Sequence, residues 1–295
     1  MTARSFLWLV GICLVWALNT IVSKIAVSDL GLPPLFYATL RSAVVALALL
    51  PWLRPLPDRF LFVAATALSV SGGSFALLFI GLTDASPSAA GIVSLTGAPL
   101  TVLFAIILLR EKVHWRRALG IALTFVGVGI AVASPSGWQS SIGLLFVGAS
   151  SVVGALGSVG LKRILLEPLR MQAWAGAVSA IVLLPLSLAL EHGQVAAVGA
   201  QPWGALGAIL FSGLVVSVGA HTLYFRLLAE HDVNLIAPLT LMTPVFTVLL
   251  GVSLTGDQVG PTLVAGALVA AAGVLVIVLR PGRNYLKAML VRTRL

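Results

Sequence analysis

Charged side chains are scarce in this sequence. Only 9% of its 295 residues are Asp, Glu, Lys or Arg, whereas 59% are hydrophobic, and a typical soluble domain carries about 25% charged residues. The chain therefore cannot cover a folded domain with a surface that faces water, and no polar stretch in it is long enough for a soluble domain. These absences predict a polytopic membrane protein whose function lies within the membrane.

Residues that usually carry catalysis or bind metals are also few. Cys13 is the single cysteine, which excludes a disulfide or a cysteine metal site within one chain. The four histidines (His114, His192, His221 and His231) are scattered, and no H-E-x-x-H motif is present. No two acids share the interior of one apolar segment. A membrane enzyme is therefore disfavoured, and we expect no catalytic residue, no metal and no cofactor.

Long apolar runs are what the sequence has in place of charge. A helix needs about 20 mostly apolar residues to cross the hydrocarbon layer of a membrane. Read at that length, the chain predicts an all-α protein with ten transmembrane helices. The predicted spans are residues 6–27, 34–53, 60–82, 87–109, 115–134, 142–165, 169–190, 203–227, 233–254 and 261–280.

The two halves of the chain resemble each other. Residues that recur at an offset of 146 positions include Ser71 and Ser217, Thr101 and Thr247, Gly120 and Gly266, and Gly127 and Gly273. Nearer the start the offset is 138, so that Lys24 corresponds to Lys162. Because five predicted spans precede the second copy, that copy must sit upside down relative to the first. Inverted repeats around a central cavity are typical of secondary transporters, which alternate between two similar states.

This repeat predicts the division of the chain. Residues 1–137 form a first repeat of five spans, residues 138–280 a second, and residues 281–295 a basic tail. The tail could lie on anionic lipid or be solvated.

Basic residues predict the orientation. If the N-terminus is cytoplasmic, 16 of the 18 Lys and Arg residues fall on the cytoplasmic side, and only Lys24 and Arg41 lie inside spans. Both termini are therefore expected in the cytoplasm. The net charge of +9 is explained by orientation, so we expect membrane lipid and a small solute as partners, and no nucleic acid.

Prolines interrupt two predicted spans. Pro99 lies in span four, and Pro238 and Pro244 lie in span nine, where Pro244 falls one position from the repeat counterpart of Pro99. Proline removes a helical hydrogen bond, and in a membrane the freed carbonyl groups need a partner or a wet cavity. We expect kinked, gating helices, with kinks that only shape packing as the alternative.

Polar and aromatic side chains in the spans predict a central binding site. Arg41 lies roughly 10 Å into span two along the helix axis, where a charge is costly, and could attract a carboxylate or pair with the carbonyl end of a helix. His221 could relay protons or could be a hydrogen-bonded packing residue. The remaining candidates, each of which could instead hold helices together, are Asn19, Thr20, Tyr37, Ser71, Phe75, Phe79, Trp174, Ser217 and Tyr224.

Several of these residues form a family pattern. The pattern consists of Trp16-x-x-Asn19-x-x-x-x-Lys24, Pro33 through Arg41, and Lys162, Trp174, Pro185 and Glu191 in the second half. It resembles the EamA-type branch of the drug/metabolite transporter superfamily over essentially the whole chain. Arg41 departs from the repeat, because its counterpart near Ser179 is not an arginine.

The resemblance implies ten helices around a central cavity and a multi-pass protein of the bacterial inner membrane. It also implies export of small metabolites, above all amino acids, including aromatic ones. An uptake permease or exchanger for another small organic solute or drug is the alternative. A channel is disfavoured because the sequence has no ring-like selectivity motif, and a homodimer is left open.

Overall fold

The computed structural model describes residues 3–110, 115–134, 140–231, 236 and 239–278, and these residues form helices and their connections, with no strand among them. We number the longer helices α1 (Ala3–Asp29), α2 (Pro34–Ala48), α3 (Phe60–Asp84), α4 (Pro87–Leu109), α5 (Trp115–Val132), α6 (Ser141–Leu161), α7 (Pro168–Leu190), α8 (Pro202–Leu227), α9 (Met242–Thr255) and α10 (Pro261–Val278). Eight of them, all except α2 and α9, are long and apolar enough to cross a membrane. The chain is a multi-pass membrane protein.

Within the described residues, helices α2 and α9 are shorter than the spans predicted for them. Helix α2 has 15 residues and is about 22 Å long, and a 3₁₀ turn at Leu50–Leu53 follows it. Most of the predicted start of span nine, including Pro238, lies outside the described residues, as does the tail at 281–295. The number of ten spans and their inverted arrangement therefore stay predictions.

Local sequence signals account for the helix starts. Proline, whose missing N–H costs nothing in the first turn of a helix, stands at the first position of five helices: Pro34, Pro87, Pro168, Pro202 and Pro261. Before α4, the Ser86 side chain also accepts a hydrogen bond from the backbone N–H of Ala89 at 3.3 Å, which satisfies one of the free donors at that end.

Glycines bring α5 and α10 together. A Cβ atom added to Gly120 would lie 2.7 Å from the carbonyl oxygen of Gly273, and one added to Gly266 would lie 2.6 Å from the carbonyl oxygen of Gly127. The two backbones therefore touch at both places, as small residues permit in membrane helices. Since lower numbers on one helix meet higher numbers on the other, α5 and α10 run antiparallel.

Acidic side chains cap helices to which they do not belong. The two carboxylate oxygens of Glu191 accept hydrogen bonds from the backbone N–H groups of Leu35 (2.7 Å) and Phe36 (2.9 Å) in α2. Asp257 likewise accepts from the N–H of Ser88 at the start of α4, at 2.8 Å. A carboxylate at a helix N-terminus meets free donors and the positive end of the helix dipole. These acids therefore join helices that are far apart in sequence.

Replacing Glu191 with alanine should lower the stability of the fold. The change removes the acceptor for two N–H groups of α2, which is expected to reduce the free energy of unfolding by about 1–2 kcal/mol. The apparent melting temperature of the purified protein in detergent measures the effect. Asp58→Ala is the matched control, because Asp58 is exposed. Equal melting temperatures for the two variants would contradict the capping role.

Candidate functional site

A cavity of about 290 Å³ lies between α2, α3, α6, α7 and α8. It extends towards the end of the bundle where residues 162–167 connect α6 to α7. Apolar side chains form most of its wall and a few polar groups interrupt them, which is the usual composition of a small-molecule site. The lining residues are Arg41, Val70, Ser71, Phe75, Ser158, Leu161, Ile164, Leu166, Pro168, Met171, Gln172, His221 and Phe225.

Widened helical turns shape the two helices that carry its polar groups. A π-helical stretch spans Ser69–Gly73 in α3 and another spans Phe211–Ala220 in α8. Such turns shift the register of hydrogen bonds by one residue and are frequent at functional sites. They lie at equivalent places in the two halves, because Ser71 and Ser217 are repeat counterparts.

Arg41 is buried beside this cavity, with 2% of its surface exposed. Its Nε donates to the carbonyl oxygen of Ser212 at 3.3 Å, and its Nη2 donates to the hydroxyl of Ser217 at 2.8 Å. The guanidinium carbon lies 3.6 Å from the centre of the Phe75 ring, in a cation–π contact. These partners are neutral, and no carboxylate in the described part of the chain forms an ion pair with Arg41. A buried positive charge thus faces an open space, and the described part of the chain supplies no counter-ion for it.

Two further polar groups on the wall are fixed by backbone carbonyl groups. The Nδ1 of His221 lies 2.8 Å from the carbonyl oxygen of Val216, and the Nε2 of Gln172 donates to that of Ser217 at 2.7 Å. Sequence reasoning did not single out Gln172. The feature that could have indicated it is an uncharged polar side chain near the start of an otherwise apolar helix.

Aromatic rings close the far side of the cavity. Tyr37 and Phe79 have no exposed surface, and the centres of their rings are 4.7 Å apart. The hydroxyl of Tyr37 donates to the carbonyl oxygen of Ala208 at 3.3 Å, and that of Ser212 donates to Asn19 at 2.7 Å. These contacts join α1, α2, α3 and α8 on the side of the cavity opposite residues 162–167.

The proline positions coincide with breaks rather than with kinks. Helix α4 is interrupted at residues 95–96, and α9 begins after a turn at residues 240–241. Pro99 and Pro244 are each the third residue of the helical segment that follows. The first four N–H groups of a helix need no intrahelical partner, so proline is tolerated there. Both breaks adjoin one apolar groove of about 180 Å³, which Leu95 and Pro244 help to line. Their gating role stays a prediction.

Of the predicted site residues, the structure brings Arg41, Ser71, Phe75 and His221 to the cavity wall, with Ser217 hydrogen-bonded behind them. Five others lie elsewhere: Asn19, Tyr37 and Phe79 in the closed side, Thr20 on α1 bonded to the carbonyl oxygen of Trp16, and Tyr224 against the Trp16 ring.

Trp174 also lies away from the cavity wall. Its ring packs against Phe60 at 5.4 Å between centres, and its buried Nε1 has no hydrogen-bond partner among the described residues. An aromatic residue in the first turns of an apolar helix could face lipid, the protein core or the cavity, so the residue type alone could not predict which of these Trp174 contacts.

Comparisons with known proteins agree with this architecture. The profile of the EamA-like transporter family matches residues 3–133 and 141–279. A protein of Salmonella typhimurium named probable amino-acid metabolite efflux pump is 26% identical over 280 residues, which cover 90% of this chain and 91% of that protein. A protein of Escherichia coli with the same name is 23% identical over 84% of this chain and 87% of its own length. One solved crystal structure has the same fold, with a TM-score of 0.57 and 19% identity over 94% of this chain and 98% of its own.

Proposed function

Since this chain belongs to the EamA-like transporter family, we propose that it is a secondary transporter that exports small metabolites, above all amino acids including aromatic ones, across the bacterial inner membrane. The observation that carries this proposal is the buried guanidinium of Arg41, which faces a cavity of about 290 Å³ and has no counter-ion among the described residues. A buried charge costs several kcal/mol unless an opposite charge meets it. A substrate carboxylate supplies that charge when it enters.

The shape and chemistry of the cavity support a small amphipathic carboxylate. The planar guanidinium presents parallel N–H donors that fit a carboxylate in a two-pronged pair. Apolar residues such as Leu161, Met171 and Phe225 line the rest of the wall and suit an apolar or aromatic substrate side chain. The cavity lies at the lower end of the volume range typical of ligand sites, which favours a metabolite of amino-acid size.

Reciprocal contacts support two inverted repeats, which we propose at residues 1–137 and 138–280. The family profile matches each half separately. Gly120 of α5 meets Gly273 of α10, and Gly127 meets Gly266. At the offset of 146 residues, Gly273 is the counterpart of Gly127 and Gly266 is that of Gly120, so each glycine meets the counterpart of the other glycine on its own helix. A two-fold axis in the membrane plane requires this exchange.

The contacts of α2 and α7 fit the same symmetry. Arg41 of α2 bonds to the widened turn of α8, whereas its counterpart Ser179 of α7 accepts a hydrogen bond from the N–H of Gly72 in the widened turn of α3 at 3.0 Å. The pair α2 and α8 is therefore equivalent to the pair α7 and α3. If one pair opens while the other closes, the cavity opens to one side of the membrane and then to the other, which is the basis of alternating access.

The distribution of charge supports loading from the cytoplasm. Basic residues (Lys162, Arg163 and Arg170) stand at the end towards which the cavity extends, and basic connections stay on the cytoplasmic side of a membrane. With Tyr37 and Phe79 closing the opposite side, this state takes its substrate from the cytoplasm, as an exporter does. An uptake permease or exchanger would use the same cavity in the reverse direction.

The first experiment is flux from proteoliposomes preloaded with labelled aromatic, aliphatic and charged amino acids. We expect saturable release that exchange with external substrate accelerates. Release of none of them would contradict the proposed substrate class, and unitary currents would indicate a channel.

The direction of transport in cells is tested by a growth assay. Cells that overproduce the protein are grown in the presence of toxic amino-acid analogues, where resistance indicates export and sensitization indicates uptake.

Cysteine labelling tests the alternating access. In a Cys13→Ser background, Leu161→Cys on the cavity wall is expected to react with a water-soluble maleimide, whereas Ser23→Cys, at the equivalent place in the first repeat, is expected to stay unlabelled, because Ser23 has no exposed surface. Saturating substrate should raise the labelling of Ser23→Cys and lower that of Leu161→Cys. Labelling of both at one rate, whatever the substrate, would contradict the exchange of open sides.

A further inference from the structure

His221 stands one helical turn from the group that anchors Arg41. Ser217 and His221 are four residues apart on α8, at the end of the widened turn Phe211–Ala220, which places them about one helical turn apart on the same side of the helix. The Nδ1 of His221 lies 2.8 Å from the carbonyl oxygen of Val216. A carbonyl group can only accept, so Nδ1 carries the proton of the neutral ring and Nε2 offers a lone pair. The ring is also held by Trp16, at 5.4 Å between ring centres.

Other acceptors on this part of α8 are already used. The carbonyl oxygen of Val216 accepts a hydrogen bond from Nδ1 of His221, and that of Ser217 accepts one from Gln172. No carboxylate stands among the described residues that line the cavity. An imidazole nitrogen is a stronger base than the hydroxyl and amide oxygens of the wall, so Nε2 is the most favourable partner there for a positively charged donor.

We propose that His221 recognises the amino group of the substrate and thereby makes the site selective for α-amino carboxylates over carboxylic acids of the same shape. Arg41 holds the carboxylate, and Nε2 of His221 accepts a hydrogen bond from the α-ammonium group about one helical turn away. This inference rests on the proposed function, because it assigns a second contact to the same site. His221 acts here as a specificity-determining residue and needs no change of its own charge.

The repeat supports this division of roles. At the offset of 146 residues, His221 is the counterpart of Phe75, and both line the cavity. The guanidinium carbon of Arg41 stacks over the ring of Phe75, 3.6 Å from the ring centre. At equivalent positions, therefore, one half of the chain supports the cation that binds a carboxylate, and the other half presents an acceptor for an ammonium. A zwitterion has both of these groups.

Matched ligand pairs test the inference on the purified full-length protein. The pairs are L-phenylalanine with 3-phenylpropionate and L-leucine with 4-methylpentanoate, whose members differ only in the amino group. Calorimetric titration should give the wild-type protein a preference of about 10- to 100-fold for each amino acid, as expected for one hydrogen bond to a charged group. His221→Phe should reduce this preference to about one by weakening the amino acid alone. His221→Gln should keep part of it, because its amide oxygen still accepts.

Each outcome bears on the inference. His192→Phe, which changes an exposed histidine, is the control and should keep the wild-type preference. An affinity ratio near one between the two members of a pair in the wild-type protein would overturn the inference, and this test does not depend on a variant that folds. An unchanged ratio in His221→Phe would overturn it too. In either case the binding of the amino acids would still support the proposed function. If the wild type bound neither member of any pair, both the substrate class and the inference would fall.

Discussion

Transport of L-phenylalanine into proteoliposomes is expected to fall by roughly two orders of magnitude when Arg41 is replaced with alanine, since loss of one partner of a desolvated charge pair costs several kcal/mol. The guanidinium is buried, hydrogen-bonded to Ser212 and Ser217, and aimed by the Phe75 ring. Without it, the substrate carboxylate would enter an apolar cavity and find no opposite charge. Initial rates of counterflow over a range of substrate concentrations measure the loss.

Two comparisons separate this role from a structural one. Arg41→Lys keeps the charge but lacks the planar fork, so it should retain an intermediate rate. L-phenylalaninamide, which has no carboxylate, should bind Arg41→Ala as well as it binds the wild type. The melting temperature of the substrate-free variant should not fall, because an uncompensated buried charge has been removed. Normal transport by Arg41→Ala would remove this residue from the site.

The position of Arg41 explains why it could be predicted from the sequence. A charge in an apolar run is rare and costly, so the residue type alone marks it, and the structure places it on the cavity wall. Ser71, Phe75 and His221 were predicted by a different signal, namely that they are polar or aromatic residues inside predicted spans. The length of the apolar runs predicted the eight helices that are long enough to cross a membrane, whereas α2 and α9 are shorter than predicted within the described residues.

Other parts of the site depend on packing that the sequence does not state. The widened turns at Ser69–Gly73 and Phe211–Ala220 change which side of a helix faces the cavity, and no residue type requires them. Tyr37 and Phe79 were predicted as binding residues, yet they pack against each other in the closed side. Under the proposed alternating access the open and closed sides exchange, so Tyr37 and Phe79 would line the cavity wall in the opposite state.

The glycines of α5 present the opposite case, because the positions at which glycine recurs in the sequence are the positions at which the structure leaves no space for a side chain. Gly120 and Gly127 have repeat counterparts in Gly266 and Gly273, and the four meet where α5 and α10 cross. Lipid does not drive membrane helices together as water does, so close packing of their backbones carries much of the association. A single added methyl group at this contact should therefore have a large effect.

Gly127→Ala is expected to yield little folded protein. The added Cβ would meet the backbone nitrogen of Ala270 and lie 2.6 Å from the carbonyl oxygen of Gly266, and backbone atoms cannot rotate aside as the end of a side chain can. Overpacking of this kind typically costs about 1–3 kcal/mol, and more where the backbone must move. The yield of monodisperse protein in detergent and its melting temperature measure the effect.

Gly129→Ala is the matched control, because it lies two residues further along the same helix and has no neighbouring atom within 4 Å of the added Cβ. Both changes raise helix propensity by about 1 kcal/mol, so the control should be as stable as the wild type or slightly more stable. Trimming the neighbour in the double variant Gly127→Ala with Ala270→Gly should not restore stability, since the atoms in contact belong to the backbone. Full rescue by that double variant, or equal stability of Gly127→Ala and Gly129→Ala, would mean that α5 and α10 do not touch through their backbones.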